Sequence, residues 1–560
     1  MTTSSIAAGP LTRAFEEACA QLEQLEFVDA LWNKRLDRWT ADPATQTLIA
    51  NRLGWLTAID FIVSQRSRLA SFAEAVNRDD VSEVVLLGMG GSSLAPDVLR
   101  QVLGTAAGHP RLSVLDSVDP ESVRAAMAHV DRSLFLLASK SGSTIEPNAM
   151  AAEARRRLLE AGQPRWGSRF VAITDPETVL HRQATNDQFR DVFINPSDIG
   201  GRYSALSFFG MVPAALLGID LDTFITRAKT MEIACRTTRV ADNPGVSLGA
   251  LMFASAAHGR DKLTLLLPTR LQSLGLWIEQ LVAESTGKHG TGIVPIAGEP
   301  GDASFGDDRL FVIVNVADQF PDRTVSDRAR ASGGPVVTLH MDDALDLGAE
   351  FLRWEVATAV AGRLLSINPF DEPNVQQAKD ATRALLDVFR RDRRLPLPET
   401  HAEIEGMRLT LSEAAQAALA GLPATAFLDV VRAHDYVALL AFLPPDDPRF
   451  VEPLESLRSA VGASTGCATM FGYGPRYLHS TGQLHKGGAN NGVFIVITAD
   501  PDEDLEVPGE SFSFGVLETA QALGDFQSLD RTGRRALFVQ APLRDAAWLA
   551  QLTASLTRGR

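Results

Sequence analysis

Cysteine is scarce in this 560-residue chain: three are present, Cys19, Cys235 and Cys467. They lie far apart, which excludes a disulfide framework and a zinc knuckle and points to a reducing compartment. No apolar run reaches the roughly 18 residues of a membrane span, and the opening "MTTSSIAAGPLTRAFEEACA" has no basic segment followed by an apolar one. Neither a span nor a secretory leader is expected, and the cytoplasm is the expected location. Positive charge is also in deficit. With 53 Lys and Arg against 69 Asp and Glu the net charge is −16, which argues against a nucleic-acid or anionic-membrane partner. An anionic small molecule must therefore be met by local cations. No His, Cys, Asp and Glu set has ligand spacing, so no metal and no organic cofactor is expected. Short-period repeats and low-complexity tracts are missing too.

What is there is alternation. Hydrophobic residues make up 45% of the chain, enough at this length for roughly two to four domains with their own cores. From residue 83 short apolar runs, "EVVLLG", "LSVLD", "LFLLAS" and "FVAIT", are separated by helix-forming stretches such as "PESVRAAMAHV" and "EPNAMAAEARRRLLEAG". That pattern predicts βαβ units on a parallel sheet. A second alternating block starts at "KLTLLLP" (262–268) and runs through "RLFVIVNV", "PVVTLHM" and the helix "FLRWEVATAVAGRLLSI". The expected class is α/β with two doubly wound parallel sheets. Residues 1–75 read as an amphipathic helical covering layer, 76–240 as a first sheet domain, 241–395 as a second, and 396–560 as a smaller α/β extension. "RRLPLPETHAEIEG" (393–406) reads as a linker.

Two strand-to-helix turns suit phosphate. "VVLLGMGGSSLAPDVLR" (84–100) carries Gly88, Gly90 and Gly91, but the sixth position of a dinucleotide fingerprint is Ser93. Asp116, which ends "LSVLD", imitates the acid of such sites; the other readings are a plain structural turn and a phosphate loop. In "LFLLASKSGSTIEPNAM" (134–150) a strand ends at Ala138, and Ser139, Ser141, Ser143 and Thr144 precede a helix opened by Glu146 and Pro147. Hydroxyls and free N–H groups at a helix start bind an oxyanion well, and no Walker lysine follows the glycine, so a phosphate monoester fits better than a nucleotide. The competing reading is an ordinary Ser/Thr helix cap.

"SKSGSTIEP" is similar to the S-x-S-G-x-T-x-E signature of sugar isomerase (SIS) domains, and "GMGGSSLAP" resembles the G-I-G-G-S-x-L-G-P loop of phosphoglucose isomerases. "DIGGRYSALSFFG" (198–210), "ESTGK" (284–288), "NPFDEPNVQQAK" (368–379) and "LHSTGQLHKGG" (478–488) resemble further segments of that family in order. The chain looks most like the isomerase half of bacterial transaldolase/phosphoglucose isomerase fusions. The resemblance implies two SIS-type domains and a cofactor-free aldose–ketose isomerase of glycolysis and gluconeogenesis, acting on a hexose phosphate through a cis-enediol. It also carries, as expectations, a homodimer and a functional link to transaldolase. A non-catalytic sugar-phosphate-binding regulator and an isomerase of another hexose or amino-sugar phosphate are the rival readings.

The residues give the same reading in their own terms. In "LGLWIEQLVAESTGK", Glu284 falls at helical spacing from Trp277 and Leu281, where an apolar side chain is expected. A buried carboxylate has a raised pKa and suits a general base, unless it is paired with Lys288. On resemblance it moves the proton between C1 and C2. Arg202 follows two glycines in "IGGRYS"; it is either a loop ion pair or, as the family implies, the group that stabilises an enediolate. Lys379 lies early in a charge-rich helix and His479 in "YLHSTGQ". Each has a plain alternative, a solvated lysine and a structural histidine, and the resemblance gives both to ring opening. It also places Gly91, Ser92, Ser139, Lys140, Ser141, Ser143, Thr144 and Glu372 at the substrate. Glu372 stands where the family has Gln, an added negative charge that is expected to weaken binding. His479 follows Lys379 in the chain, whereas most phosphoglucose isomerases have the reverse order; its motif must fold back, from the same chain or a neighbouring one.

Overall fold

The computed structural model describes residues 2–79, 81–542 and 544–558. Among the described residues sixteen strands form three sheets. A short strand β1 (Thr3–Ala7) precedes the first sheet, which holds β2 (Glu83–Leu87), β3 (Arg111–Leu115), β4 (Ser133–Ala138), β5 (Phe170–Thr174) and β6 (Asp191–Ile194). Its order is β3-β2-β4-β5-β6, all parallel. Val84 to Leu87 and Leu134 to Ala138 are buried on both faces, which is why these strands read as unbroken apolar runs. The second sheet holds β7 (Lys262–Leu266), β8 (Val294–Ile296), β9 (Arg309–Val316) and β10 (Val336–Met341), in the order β1-β10-β9-β7-β8.

Here the all-helical reading of residues 1–75 is corrected. β1 pairs antiparallel with β10, from Thr3 opposite His340 to Ala7 opposite Val336. It is a mostly exposed edge strand, held by main-chain bonds rather than burial, so it leaves no hydrophobic pattern in the sequence. The rest of the segment is largely helical, as expected.

The third sheet holds β11 (Ala402–Ile404), β12 (Met407–Leu411), β13 (Tyr436–Phe442), β14 (Ala468–Tyr473), β15 (Gly492–Ala499) and β16 (Arg535–Ala541). Its order is β11-β12-β16-β15-β13-β14, with a parallel core and an antiparallel edge formed by β11 and β12. This corrects the reading of a smaller extension, since the sheet has six strands against five in each of the others. β11 also begins inside the stretch read as a linker. One apolar cluster joins Val85, Leu87, Phe135 and Phe170 of the first sheet to Tyr436, Phe494 and Leu517 of the third region. The third layer is therefore packed into the body of the molecule. The opposite face of the first sheet shares a core with the N-terminal helices and the second sheet.

Beneath that junction Lys486 and Asp525 pair at 2.5 Å with both side chains about fully buried, and the Tyr477 hydroxyl donates to the same carboxylate at 2.7 Å. Removing one partner of such a pair leaves an uncompensated buried charge. Lys486→Met is expected to cost about 3–5 kcal/mol, moving the first urea-unfolding transition to lower concentration. Lys486→Met with Asp525→Leu is expected to recover most of that loss.

Candidate active site

A cleft of about 500 Å³ opens at the carboxyl ends of β2, β4, β5 and β6. β2 and β4 are neighbours from which the connections leave in opposite directions, the place where open α/β sheets bind ligands. The loop 89–92 follows β2 and the loop 139–144 follows β4. Facing them across the cleft are Arg202, Gln280, Glu284, Glu372, Lys379 and His479.

Glu284 lies on the helix Gln272–Thr286 beside fully buried Trp277 and Leu281, and is itself buried. Its Oε1 is 3.5 Å from Arg202 Nη1. The same nitrogen donates to Glu372 Oε2 at 3.0 Å, so two carboxylates share one guanidinium edge. Arg202 is fixed by its other donors: Nε to Ser285 Oγ at 2.8 Å, and Nη2 to the carbonyls of Pro369 and Asp371 at 2.9 Å each. Burial pushes the Glu284 carboxyl up to about 7; Arg202 opposes that rise and Glu372 adds to it, with smaller opposing effects from His479 and Lys288. The alternative pairing of Glu284 with Lys288 is not what the structure contains. The helix ends at Thr286, and Lys288 turns to Asp371, donating to Oδ1 at 2.8 Å and to the Asn368 carbonyl at 2.8 Å. Burial lowers that ammonium to about 8.

In the loop after β4, Gly142 has φ +69° and donates its N–H to Ser139 Oγ at 3.1 Å. Ser141 and Ser143 hydroxyls lie 3.0 Å apart. Thr144 precedes the helix Ile145–Glu160 without making a side-chain capping bond, so the plain cap reading does not account for its hydroxyl. Ser139, Lys140, Ser141 and Thr144 line the cleft. Lys140 bonds the Asp175 carboxylate and the Ser197 carbonyl. Ser143 lines a smaller adjoining cavity of about 140 Å³, shared with Thr144, Lys379 and His479.

The glycines after β2 serve the protein's own packing. A Cβ on Gly91 would lie 2.1 Å from the Gly201 carbonyl, and one on Gly90, whose φ is +55°, 2.5 Å from the His479 carbonyl. Gly91 and Ser92 line the cleft, while Asp116 accepts from Ser93 and, at 2.8 Å each, from Nε and Nη2 of Arg476, which removes it as a ribose acceptor.

His479 reaches the cleft from within the same chain. Its Nε2 is 2.9 Å from Glu146 Oε1, an oxygen that also accepts from Gln521 Nε2 at 2.6 Å. Gln280 Nε2 donates to the His479 carbonyl at 2.7 Å. Burial works to raise the Glu146 pKa, but His479 and these hydrogen bonds outweigh it and hold the carboxyl below its usual range. Lys379, exposed on the helix Val375–Asp392, makes no hydrogen bond or ion pair among the described residues. The sequence reading missed Gln280, Gln521 and the orienting role of Glu146. Gln280 was signalled by its place one turn before Glu284; Gln521 carried no local signal.

Residues 64–308 match the family model described as phosphoglucose isomerase. A relative named glucose-6-phosphate isomerase from Parasynechococcus marenigrum (strain WH8102) is 29% identical over 427 residues, 68% of this chain and 77% of its own length. Another of that name, from Prochlorococcus marinus (strain NATL2A), is 26% identical over 379 residues, 59% of this chain and 72% of its own. Among solved structures, a hypothetical protein from Thermus thermophilus superposes with TM-score 0.56 at 24% identity, covering 68% of this chain and 99% of its own. A glucose-6-phosphate isomerase from Chlamydia trachomatis gives TM-score 0.56 at 17% identity, over 70% of this chain and 89% of its own. These two superpositions establish the shared fold.

Replacing Glu372 by Gln removes the like charge from Glu284 and frees Arg202 toward it. The Glu284 carboxyl is therefore expected to titrate below about 7 in that variant. A ¹³C carboxyl titration of Glu-labelled protein, assigned with Glu284→Gln, measures the change.

Proposed function

We infer that this chain, whose residues 64–308 match the phosphoglucose isomerase family model, is an aldose–ketose isomerase that interconverts glucose 6-phosphate and fructose 6-phosphate. The observation that carries the reading is Glu284, a buried carboxylate with a near-neutral pKa, 3.5 Å from a buried guanidinium and across one cleft from a hydroxyl-rich helix start. The activity named for the relatives supports it.

The phosphate of the substrate lies at Ser139 to Thr144, where N–H groups and hydroxyls replace its water. In the open-chain aldose, the Glu284 carboxylate takes the C2 proton. The C2–H electron pair becomes the C1=C2 double bond, and the aldehyde oxygen gains the charge. Arg202 faces that charge and stabilises the cis-enediolate. A proton passes from O2 to O1, and Glu284 returns its proton to C1 to give the ketose. Ring opening falls to His479, oriented by Glu146, and to the unpaired Lys379 ammonium. Glu372 holds Arg202 Nη1 at 3.0 Å and so competes with substrate oxygens for the same nitrogen. A homodimer, a functional link to a transaldolase and a cytoplasmic location go with this reading; light scattering and co-purification address the first two.

Glu284→Gln keeps the volume and removes the base, so turnover in a coupled assay with fructose 6-phosphate is expected to fall at least about 10²-fold, with substrate binding largely kept. In the unmodified chain kcat/KM is expected to fall as pH drops through about 7, because protonation removes the base. Full activity in Glu284→Gln sinks the mechanism.

His479→Ala is expected to slow turnover of the cyclic sugar phosphate while leaving solvent-proton exchange from an open-chain substrate close to that of the unmodified chain. Equal damage to both measurements removes the ring-opening role.

A further inference from the structure

A second cavity, of about 630 Å³, lies behind the His479 segment. It opens between the helix Gln272–Thr286, the end of β14 and the helix Pro448–Thr465. Two of its walls also serve the proposed active site. On the first helix Glu279 faces this cavity, while its neighbour Gln280 holds the His479 carbonyl and Glu284 faces the cleft. Ser480 and Thr481 line it directly after His479. Any group that fills the space therefore presses on the two elements that place the base and the histidine.

The lining states what would fill it. Leu276, Leu454 and Phe471 supply an apolar body, and the volume is that of an ordinary small-molecule site. Both arginines in the wall are held by the protein's own acceptors. Arg458 gives its donors to the Thr469 hydroxyl and the carbonyls of Ala297, Gly298 and Thr469, and Arg476 gives two to Asp116. Acceptors in the wall remain open. Buried Glu279 uses one oxygen, Oε1, on the Ala297 N–H at 2.9 Å. At the rim Glu452 and Glu455 are exposed and make no hydrogen bond or ion pair among the described residues. A carboxylate ligand would meet the like charge of Glu452 and Glu455, whereas an ammonium on an apolar body would meet open acceptors.

We propose that this cavity is a second ligand site, for a small amphipathic amine, and that its occupancy acts on isomerisation through the His479 segment. The binding half stands independently; the coupling half rests on the isomerase reading. Coupling requires that the ligand favour one arrangement of that segment, which both sites then share.

Isothermal titration of the full chain with tryptamine, and with indole-3-acetate as its anionic counterpart, tests the site. Tryptamine is expected to bind at least about tenfold more tightly than indole-3-acetate. Leu276→Trp, which fills the cavity, is expected to abolish binding, and Glu452→Gln with Glu455→Gln, exposed positions that leave the fold alone, to weaken it about tenfold. No binding of tryptamine, equal binding of the two probes, or binding unaffected by all three substitutions overturns the site. Saturating tryptamine is then expected to change KM or kcat for fructose 6-phosphate in the unmodified chain. Binding with unchanged kinetics overturns the coupling. A chain with no isomerase activity at all overturns the isomerase reading and the coupling together, and the titration alone decides the site.

Discussion

Gly90 and Gly91 lie where backbone from three distant parts of the chain converges. The carbonyl of Gly201 occupies the space a Cβ on residue 91 would need, and the carbonyl of His479 the space of one on residue 90. No side chain fits at either position without moving the neighbouring backbone. Through these two contacts the first strand loop sets the positions of Arg202 and His479, which come from segments some 110 and 390 residues away in the chain. The rest of the site is built on that fixed frame. Arg202 then reaches Ser285, Pro369, Asp371 and Glu372, tying the helix that carries Glu284 to the loop that carries Glu372.

Charge in the cleft follows from the same economy of cations. Arg202 is shared by two carboxylates, Lys140 is held by Asp175 and Lys288 by Asp371. Lys379 is the cation in the cleft that no described residue neutralises. In a chain of net charge −16, the proposed anionic substrate would meet mainly hydroxyls, main-chain groups and this lysine. Burial, not a nearby like charge, is the leading cause of the raised Glu284 pKa, and Arg202 limits the rise.

Much of this was legible in the sequence because burial leaves periodic traces. The strands β2, β4, β5, β9, β13 and β15 are sheathed on both faces and read as apolar runs, and Glu284 stood out as a charge on an apolar helical face. β1 was invisible because an exposed edge strand is specified by pairing and not by pattern. The extent of the third sheet was underread because β11 is three residues long and β14 contains a glycine and is partly exposed. The pairing of Glu284 with Lys288 stayed open because spacing alone does not register that the helix stops at Thr286. The glycines after β2 were noticed for the right positions; that their smallness serves two carbonyls of the same protein is a fact of tertiary approach, which no local pattern encodes.

The apolar face of the first sheet that meets the third region has a bearing on how the molecule is made. Val85, Leu87, Phe135 and Phe170 leave the ribosome long before Tyr436, Phe494 and Leu517, their partners in the same core. At ordinary elongation rates that interval is on the order of tens of seconds. Once the second sheet has been made and has covered the opposite face, the first sheet still has one apolar side without its partners. The synthesis of this protein thus passes through a sticky half-molecule, and its yield in a cell depends on how fast the last 160 or so residues arrive to cover it.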